Sequence, residues 1–312
     1  LYNYGGMTIL NRITKELDSR GLFYKVLLDQ RHKKSNNIII LKNGFFSRLF
    51  FYLKNHKKFS SILCLGNVPP PIKCFGKVYL FFHNVNLLKN NDLISLLKRH
   101  FIKYFISNLD EIIVQTKEVE KIVKNLLTDK FKINIHPIFN ICYKNLNFKE
   151  KFKHKNITFI YPASFFSHKN HKLLFNVFRK PSINKKIKLL ITVKDLDEKL
   201  KDSLEKNNIY NLGLICHKET LKHLNSSSAL IFPSKSESFG LPLVEAALLN
   251  KPVLKINLDY SKDIIETPYI FEDNVFSLEK CINKFCNDLP NTISAKLKIK
   301  DGTDKIIKKL CK

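Results

Sequence analysis

Residues 229–256, ALIFPSKSESFGLPLVEAALLNKPVLKI, hold the densest set of groups that could do chemistry. Ala229–Phe232 reads as a strand and Pro233–Gly240 as a loop. A helix is expected from Leu241, with Pro242 in its first turn, where a missing N–H costs nothing. Such an entry leaves the amides of Phe239, Gly240 and Leu241 unpaired. With the positive helix end they would form an anion site suited to a diphosphate. Gly240 would let backbone come close to that anion. Glu237 precedes the turn and Glu245 follows eight positions later. Carboxylates only accept hydrogen bonds, which suits the vicinal hydroxyls of a ribose or a hexose. One acid on each side of a phosphate site could hold both sugars of a nucleoside diphosphate-sugar. Taken singly, Glu245 also reads as helix-dipole compensation worth about 0.3–1 kcal/mol, and Glu237 as a solvated loop acid.

Other candidates are sparser. His83 ends the apolar run Val78–Phe82, which places it at the mouth of a cleft. Asp195 and Asp197 have the D-x-D spacing of a metal-binding pair, but they precede Glu198–Leu204 and read better as a helix cap. His168 and His171 have a spacing that a metal could use, yet no third ligand is evident and lysines crowd them, so no metal is expected.

Elements that position these residues alternate along the chain. The strands expected in the first half are Phe23–Leu28, Ile38–Leu41, Ile62–Leu65, Val78–Phe82 and Glu111–Gln115. In the second half they are Ile157–Tyr161, Lys188–Thr192, Tyr210–Leu212, Ala229–Phe232 and Val253–Ile256. Longer amphipathic runs separate them, the pattern of βαβ units around parallel sheets. The class is therefore α/β, with two doubly wound Rossmann-like domains facing each other across a cleft. Residues 1–145 would form the first and 156–312 the second, with the last helix packing back on the first. The Lys- and Asn-rich stretch Pro137–Lys155 reads as the linker. The chain opens near a Gly-Gly turn with no strand before it, so a first strand is expected upstream of Leu1.

At 312 residues the chain suits two domains of roughly 150 residues each. Its 54 basic against 27 acidic residues give a net charge of +27. Only six of the basic residues are arginine, and the abundance of Lys, Asn, Ile and Phe is that of A- and T-rich codons. Such a field still attracts anions: nucleic acid, acidic lipid or phosphorylated substrates. Lysines spread along the chain without a nucleic-acid module argue against nucleic acid. Two segments, 44–59 and 87–105, combine Phe and Leu with Lys, Arg and His as a helix on an anionic membrane would. Packing helices with outward lysines would look the same. Seven scattered cysteines without a C-x-x-C pair suit reduced thiols in a cytoplasmic protein.

The string P-S-x-x-E-S-F-G-L-P-x-x-E-A, followed by Asn250-Lys251-Pro252-Val253, resembles the E-x7-E region of retaining, GT-B-fold glycosyltransferases of family 4. Tyr161–His171, Asn211–Gly213, Gly5-Gly6, Phe82-His83-Asn84 and Asp110–Thr116 resemble further segments of that family, in order. The resemblance implies a hexosyltransferase using a nucleoside diphosphate-sugar, with no cofactor and no metal. Its acceptor would be a saccharide or polyprenol-linked saccharide, as in synthesis of O-antigen, lipopolysaccharide or capsule at the inner face of the cytoplasmic membrane. Glu245 would bind the ribose, while Glu237 and the amides of Ser238, Phe239, Gly240 and Leu241 would hold the transferred sugar and the diphosphate. Lys169 would neutralise the leaving diphosphate, His83 would contact the donor sugar, and Gly5 and Gly6 would let backbone approach the diphosphate. The chain has Ser164 where the family usually has arginine, which removes one cation. An epimerase or phosphorylase on the same architecture, and a basic nucleic-acid-binding protein, are the competing readings.

Overall fold

The computed structural model describes residues 4–30, 32, 37–127, 131–140, 157–183 and 187–311. They divide into two compact units: unit 1 is Leu1–Asn140 with Asp301–Lys312, and unit 2 is Ile141–Lys300. Of the expected linker, Pro137–Asn140 is packed into unit 1, with Ile138 and Phe139 buried, and residues 141–156 lie outside the described ones.

Unit 1 runs α1 (Tyr4–Ser19), β1 (Val26–Asp29), β2 (Ile38–Leu41), α2 (Phe45–Asn55), β3 (Ser61–Cys64), β4 (Lys77–Phe81), α3 (Asn86–Lys89), α4 (Leu93–Phe105), β5 (Glu111–Val114), α5 (Lys117–Leu126) and β6 (Ile133–Ile135). Strands β3-β4-β5-β6 form one parallel sheet, while β1 and β2 pair in parallel as a separate ribbon. Val78–Phe81 of β4 and Ile112–Val114 of β5 are apolar and buried, as a parallel sheet covered on both faces requires. One face packs Tyr79, Phe81 and Ile113 against Ile9, Ile13 and Leu17 of α1. The other packs Val78, Leu80 and Ile112 with Tyr52, Ile102 and Val119.

The expected basic segment 87–105 is broken into α3 and α4. Asp92 is the reason: its carboxylate accepts from the Ser95 amide at 2.9 Å and hydroxyl at 2.6 Å, capping a new helix. Gly5-Gly6 differs from expectation too. Both glycines lie in the first turn of α1 rather than in a turn of their own.

Unit 2 runs β7 (Thr158–Tyr161), α6 (His171–Phe178), β8 (Lys188–Ile191), α7 (Glu198–Glu205), β9 (Ile209–Asn211), α8 (His217–Ser226), β10 (Ala229–Phe232), α9 (Leu241–Leu248), β11 (Val253–Ile256), α10 (Asp259–Ile264), β12 (Ile265–Glu266), β13 (Ile270–Phe271), α11 (Val275–Asn287) and β14 (Lys296–Leu297). Six strands form a parallel sheet in the order β13-β11-β10-β7-β8-β9. The order reverses between β7 and β10, so the loops leaving those two strands flank a topological switch point, where open α/β sheets bind ligands. Asp197 caps α7 by accepting from the Leu200 amide at 3.1 Å, and Asp195 takes a left-handed backbone (φ 53°) beside it.

A last helix, α12 (Thr303–Leu310), returns the chain to unit 1. Asp301 binds Arg12 of α1 at 3.1 Å and accepts from the Phe139 amide at 3.2 Å. The Gly302 amide donates to the Pro137 carbonyl at 2.7 Å, and Lys309 pairs with buried Glu111 at 2.8 Å. Among the described residues no helix is long and apolar enough to cross a membrane.

Candidate functional site

In unit 2 the groups gather on the two loops at the switch point. After β10, the loop runs through Glu237 to Gly240, which caps α9 in a left-handed conformation (φ 70°, ψ 53°) that L-residues resist. Leu241 and Pro242 open the helix as the sequence predicts. Phe239 and Gly240 are buried, and Ser238 and Leu241 are half-buried. Glu245, in the second turn, is 2% exposed.

The loop after β7 is tied to its neighbour by cross-loop bonds. The Lys235 amide donates to the His168 carbonyl at 2.8 Å, and Asn170, itself left-handed (φ 59°), donates to the Pro233 carbonyl at 3.3 Å and to Asp273 at 2.8 Å. The Tyr161 hydroxyl donates to the Lys169 carbonyl at 2.8 Å, and that of Tyr260 donates to the Ser234 carbonyl at 2.6 Å. Rigid anchoring of this kind holds a loop residue within the tolerance that chemistry needs.

On this frame Lys169 Nζ lies 2.6 Å from Glu237 Oε1, with the side chains only 19% and 13% exposed. The two expected site residues therefore meet, and each fixes the other's direction. A charge-assisted bond at this distance is short and strong. Ser164 is exposed on the same loop. His171 points away from solvent among the rings of Tyr161, Phe165 and Phe175, and burial drives its pKa down to about 4. His168 stacks on Phe166 with ring centroids 5.8 Å apart. The two histidines are thus engaged with aromatic rings.

Sequence reasoning did not single out His217. Its Nε2 lies 2.6 Å from Glu245 Oε1, and this hydrogen bond raises the histidine's pKa above its ordinary 6.5 against the opposing pull of burial. Glu219 reaches back to the Cys216 amide at 3.1 Å, starts α8 there, and so presents His217 in the first turn. Upstream, Asn211 accepts from the Val193 amide at 2.9 Å and the Gly213 amide at 3.1 Å and donates to the Val193 carbonyl at 2.9 Å, locking the loop that leads to it. The available signal was a histidine at the head of a helix following Asn211–Gly213.

The remaining expected residues belong to unit 1. His83 lies two residues past β4, one further than the sequence reading has it, and its amide donates to the Asn67 side chain at 2.8 Å. Burial lowers its pKa, so the ring is neutral at neutral pH and can donate or accept. Gly5 and Gly6 occupy the start of α1.

Residues 143–292, within unit 2, match the family model described as glycosyl transferases group 1. An uncharacterized 41.2 kDa protein of the cps region of Klebsiella pneumoniae is 27% identical over 268 residues, covering 83% of this chain and 70% of its own. An uncharacterized glycosyltransferase of Methanocaldococcus jannaschii is 28% identical over 187 residues, covering 59% of this chain and 49% of the relative. The chain thus spans about half the length of that second relative. Among solved structures, Anabaena HepE in complex with UDP-glucose superposes with a TM-score of 0.70 at 13% identity, over 92% of this chain and 88% of that one. At that identity the likeness shows the fold, which is the α/β fold with parallel sheets of GT-B glycosyltransferases.

Proposed function

We propose that this chain, whose residues 143–292 match glycosyl transferases group 1, moves a hexose-type sugar from a nucleoside diphosphate-sugar to a saccharide or lipid-linked saccharide, with retention, in synthesis of a cell-surface polysaccharide. The observation that carries the reading is the Lys169–Glu237 pair beside the Gly240-capped helix at the switch point of unit 2. The capped helix start takes the diphosphate. Lys169, paired with Glu237, is assigned to neutralise charge building on the leaving oxygen as the C1–O bond breaks, a role that needs no metal. Glu237 accepts from the hydroxyls of the transferred sugar, and Glu245 accepts from those of the ribose.

No carboxylate nucleophile is assigned beneath the reacting carbon. The acceptor hydroxyl instead attacks from the face the diphosphate leaves, and its proton passes to a departing phosphate oxygen. His83, neutral and half-buried, is assigned to a hydroxyl of the transferred sugar. The likeness to a cps-region protein and to a structure holding UDP-glucose supports the donor and pathway classes.

The exposed apolar side chains of unit 1 support membrane docking as part of the same reading. Phe46, Phe50 and Leu53 of α2 are 70%, 67% and 50% exposed along one stripe that continues to exposed Lys57. Phe45 contacts Phe101 and Phe105 of α4, whose Leu93, Leu97 and Tyr104 also face out. Such a patch rimmed by lysine suits an anionic leaflet presenting a polyprenol-linked acceptor.

The test is incubation of the protein with a panel of nucleoside diphosphate-sugars and saccharide or polyprenol-linked acceptors, with and without chelator, reading the product's anomeric configuration by NMR. Transfer with retention, unchanged by chelator and lost in Lys169→Met and Glu237→Gln, is expected. Absence of turnover with every donor, or full activity in both variants, would refute it.

A further inference from the structure

Each acid of the proposed donor site is held by a basic residue from a neighbouring segment: Glu237 by Lys169, and Glu245 by His217. The second pair has no local explanation. His217 stands in the first turn of α8, where the positive helix end disfavours the protonated ring that Glu245 favours. That turn is held without it. Glu219 accepts from the Cys216 amide at 3.1 Å, the Thr220 hydroxyl donates to the Cys216 carbonyl at 3.1 Å, and Leu221 and Leu224 are buried beneath.

Glu245 is equally costly where it stands. It is 2% exposed on a helix whose Leu243, Val244, Ala246, Ala247 and Leu248 are all buried. A buried ion pair adds little stability over apolar packing in such surroundings. Among the described residues Oε1 meets His217 Nε2 at 2.6 Å and Oε2 meets no donor. The His217 side chain is 38% exposed, so the pair opens to solvent on the histidine side. A carboxylate fixed by one oxygen, with the other left to accept, is a receptor for a hydroxyl.

We propose that His217 is a positioning residue for the nucleoside half of the donor: it fixes Glu245 so that Oε2 meets the ribose hydroxyls. The inference rests on the assignment of Glu245 to the ribose. His217 touches no reacting atom, and its whole effect passes through the carboxylate. Without the ring, the Glu245 side chain is free to turn and its buried charge is unpaired. Both losses fall on ribose binding rather than on the bond-breaking step.

Isothermal titration calorimetry on the 312-residue chain tests this with UDP, GDP and ADP, taking whichever binds tightest, and with its 2′,3′-dideoxy counterpart. His217→Ala and Glu245→Gln are each expected to weaken the ribonucleotide about tenfold, while His217→Gln, which keeps a donor, stays near the parent. The dideoxy nucleotide should bind all four chains alike. In the Glu245→Gln background, where no buried charge is stranded, His217→Ala should add nothing. With a transferable donor the same loss is expected in KM and not in kcat. The role of His217 alone is overturned if His217→Ala binds the ribonucleotide as the parent does, weakens the dideoxy form equally, or loses further affinity in the Glu245→Gln background. Equal weakening of both nucleotides by Glu245→Gln, or no binding of any nucleotide by the parent, overturns the ribose assignment with it.

Discussion

Lys169 and Glu237 hold each other at 2.6 Å, so a donor that binds both must be met by a pair already aimed at one point. Removing the ammonium in Lys169→Met is expected to lower kcat about 100- to 1000-fold, the usual cost of one preorganised charge, with a small change in KM. Gly240→Ala tests the proposed phosphate cradle separately. Its φ of 70° costs an L-residue about 1 kcal/mol, and the new methyl would meet Leu243 Cδ1 at 3.2 Å. Weaker donor binding, measured by calorimetry, is expected to exceed the loss of Tm. The His217–Glu245 pair carries a pH signature. Because Glu245 raises the histidine's pKa above 6.5, the pair's stabilisation is whole below that value and is lost as pH rises through the folded-state pKa. Thermal unfolding of the parent chain should therefore lose Tm across that window, relative to Glu245→Gln, whose profile should be flatter. None of these pairings was legible in the sequence. Residues 68 and 28 positions apart meet only because the loops after β7, β9 and β10 share one edge of a sheet whose order the sequence does not print.

Strands that are apolar, β-branched and flanked by turns were legible: Ile38–Leu41, Ala229–Phe232 and Val253–Ile256 stand where the residues indicate, and the others shift by a residue or a few. Strand β6 was not, because Ile133-Asn134-Ile135 is three residues long, next to lysine, and owes its state to pairing with β5. Two-residue β12, β13 and β14 have no pattern to read, being made by their partners alone. At this scale the close approaches give the sharpest tests. A Cβ at Gly76 would collide with the carbonyls of Phe59 and Ser60, where the chain enters β3. Backbone there cannot give, so Gly76→Ala is expected to cost about 3 kcal/mol or more, read as faster hydrogen exchange across β3 and β4. Asp301 ties α12 to α1 and to the Phe139 amide, and Asp301→Ala leaves Arg12 and that amide without it. A loss of about 1–3 kcal/mol follows, visible as earlier proteolysis of unit 1 with unit 2 unaffected.

At the scale of the molecule, the charge of +27 divides into a diffuse lysine background and a local feature, the basic and aromatic faces of α2 and α4. Flotation with vesicles separates them. Anionic vesicles should carry the protein up and neutral ones should not, with an attraction of about 1 kcal/mol per lysine near the surface that salt weakens. Phe46→Ser with Phe50→Ser, both on exposed positions, should abolish flotation and leave Tm unchanged within a degree or two. A different consequence attaches to the return of residues 301–312 to unit 1. A ribosome adds roughly 5–20 residues per second, so the 160 residues of unit 2 occupy it for roughly 10–30 s after Asn140 is made. Throughout that interval Asp301, which binds Arg12 and the Phe139 amide, and Lys309, which pairs with Glu111, are still to be translated. Unit 2, by contrast, has every strand of its main sheet in one uninterrupted stretch. The domain begun second is therefore the one finished first, and a chain terminated at Lys300 would keep unit 2 while leaving the older half unsealed.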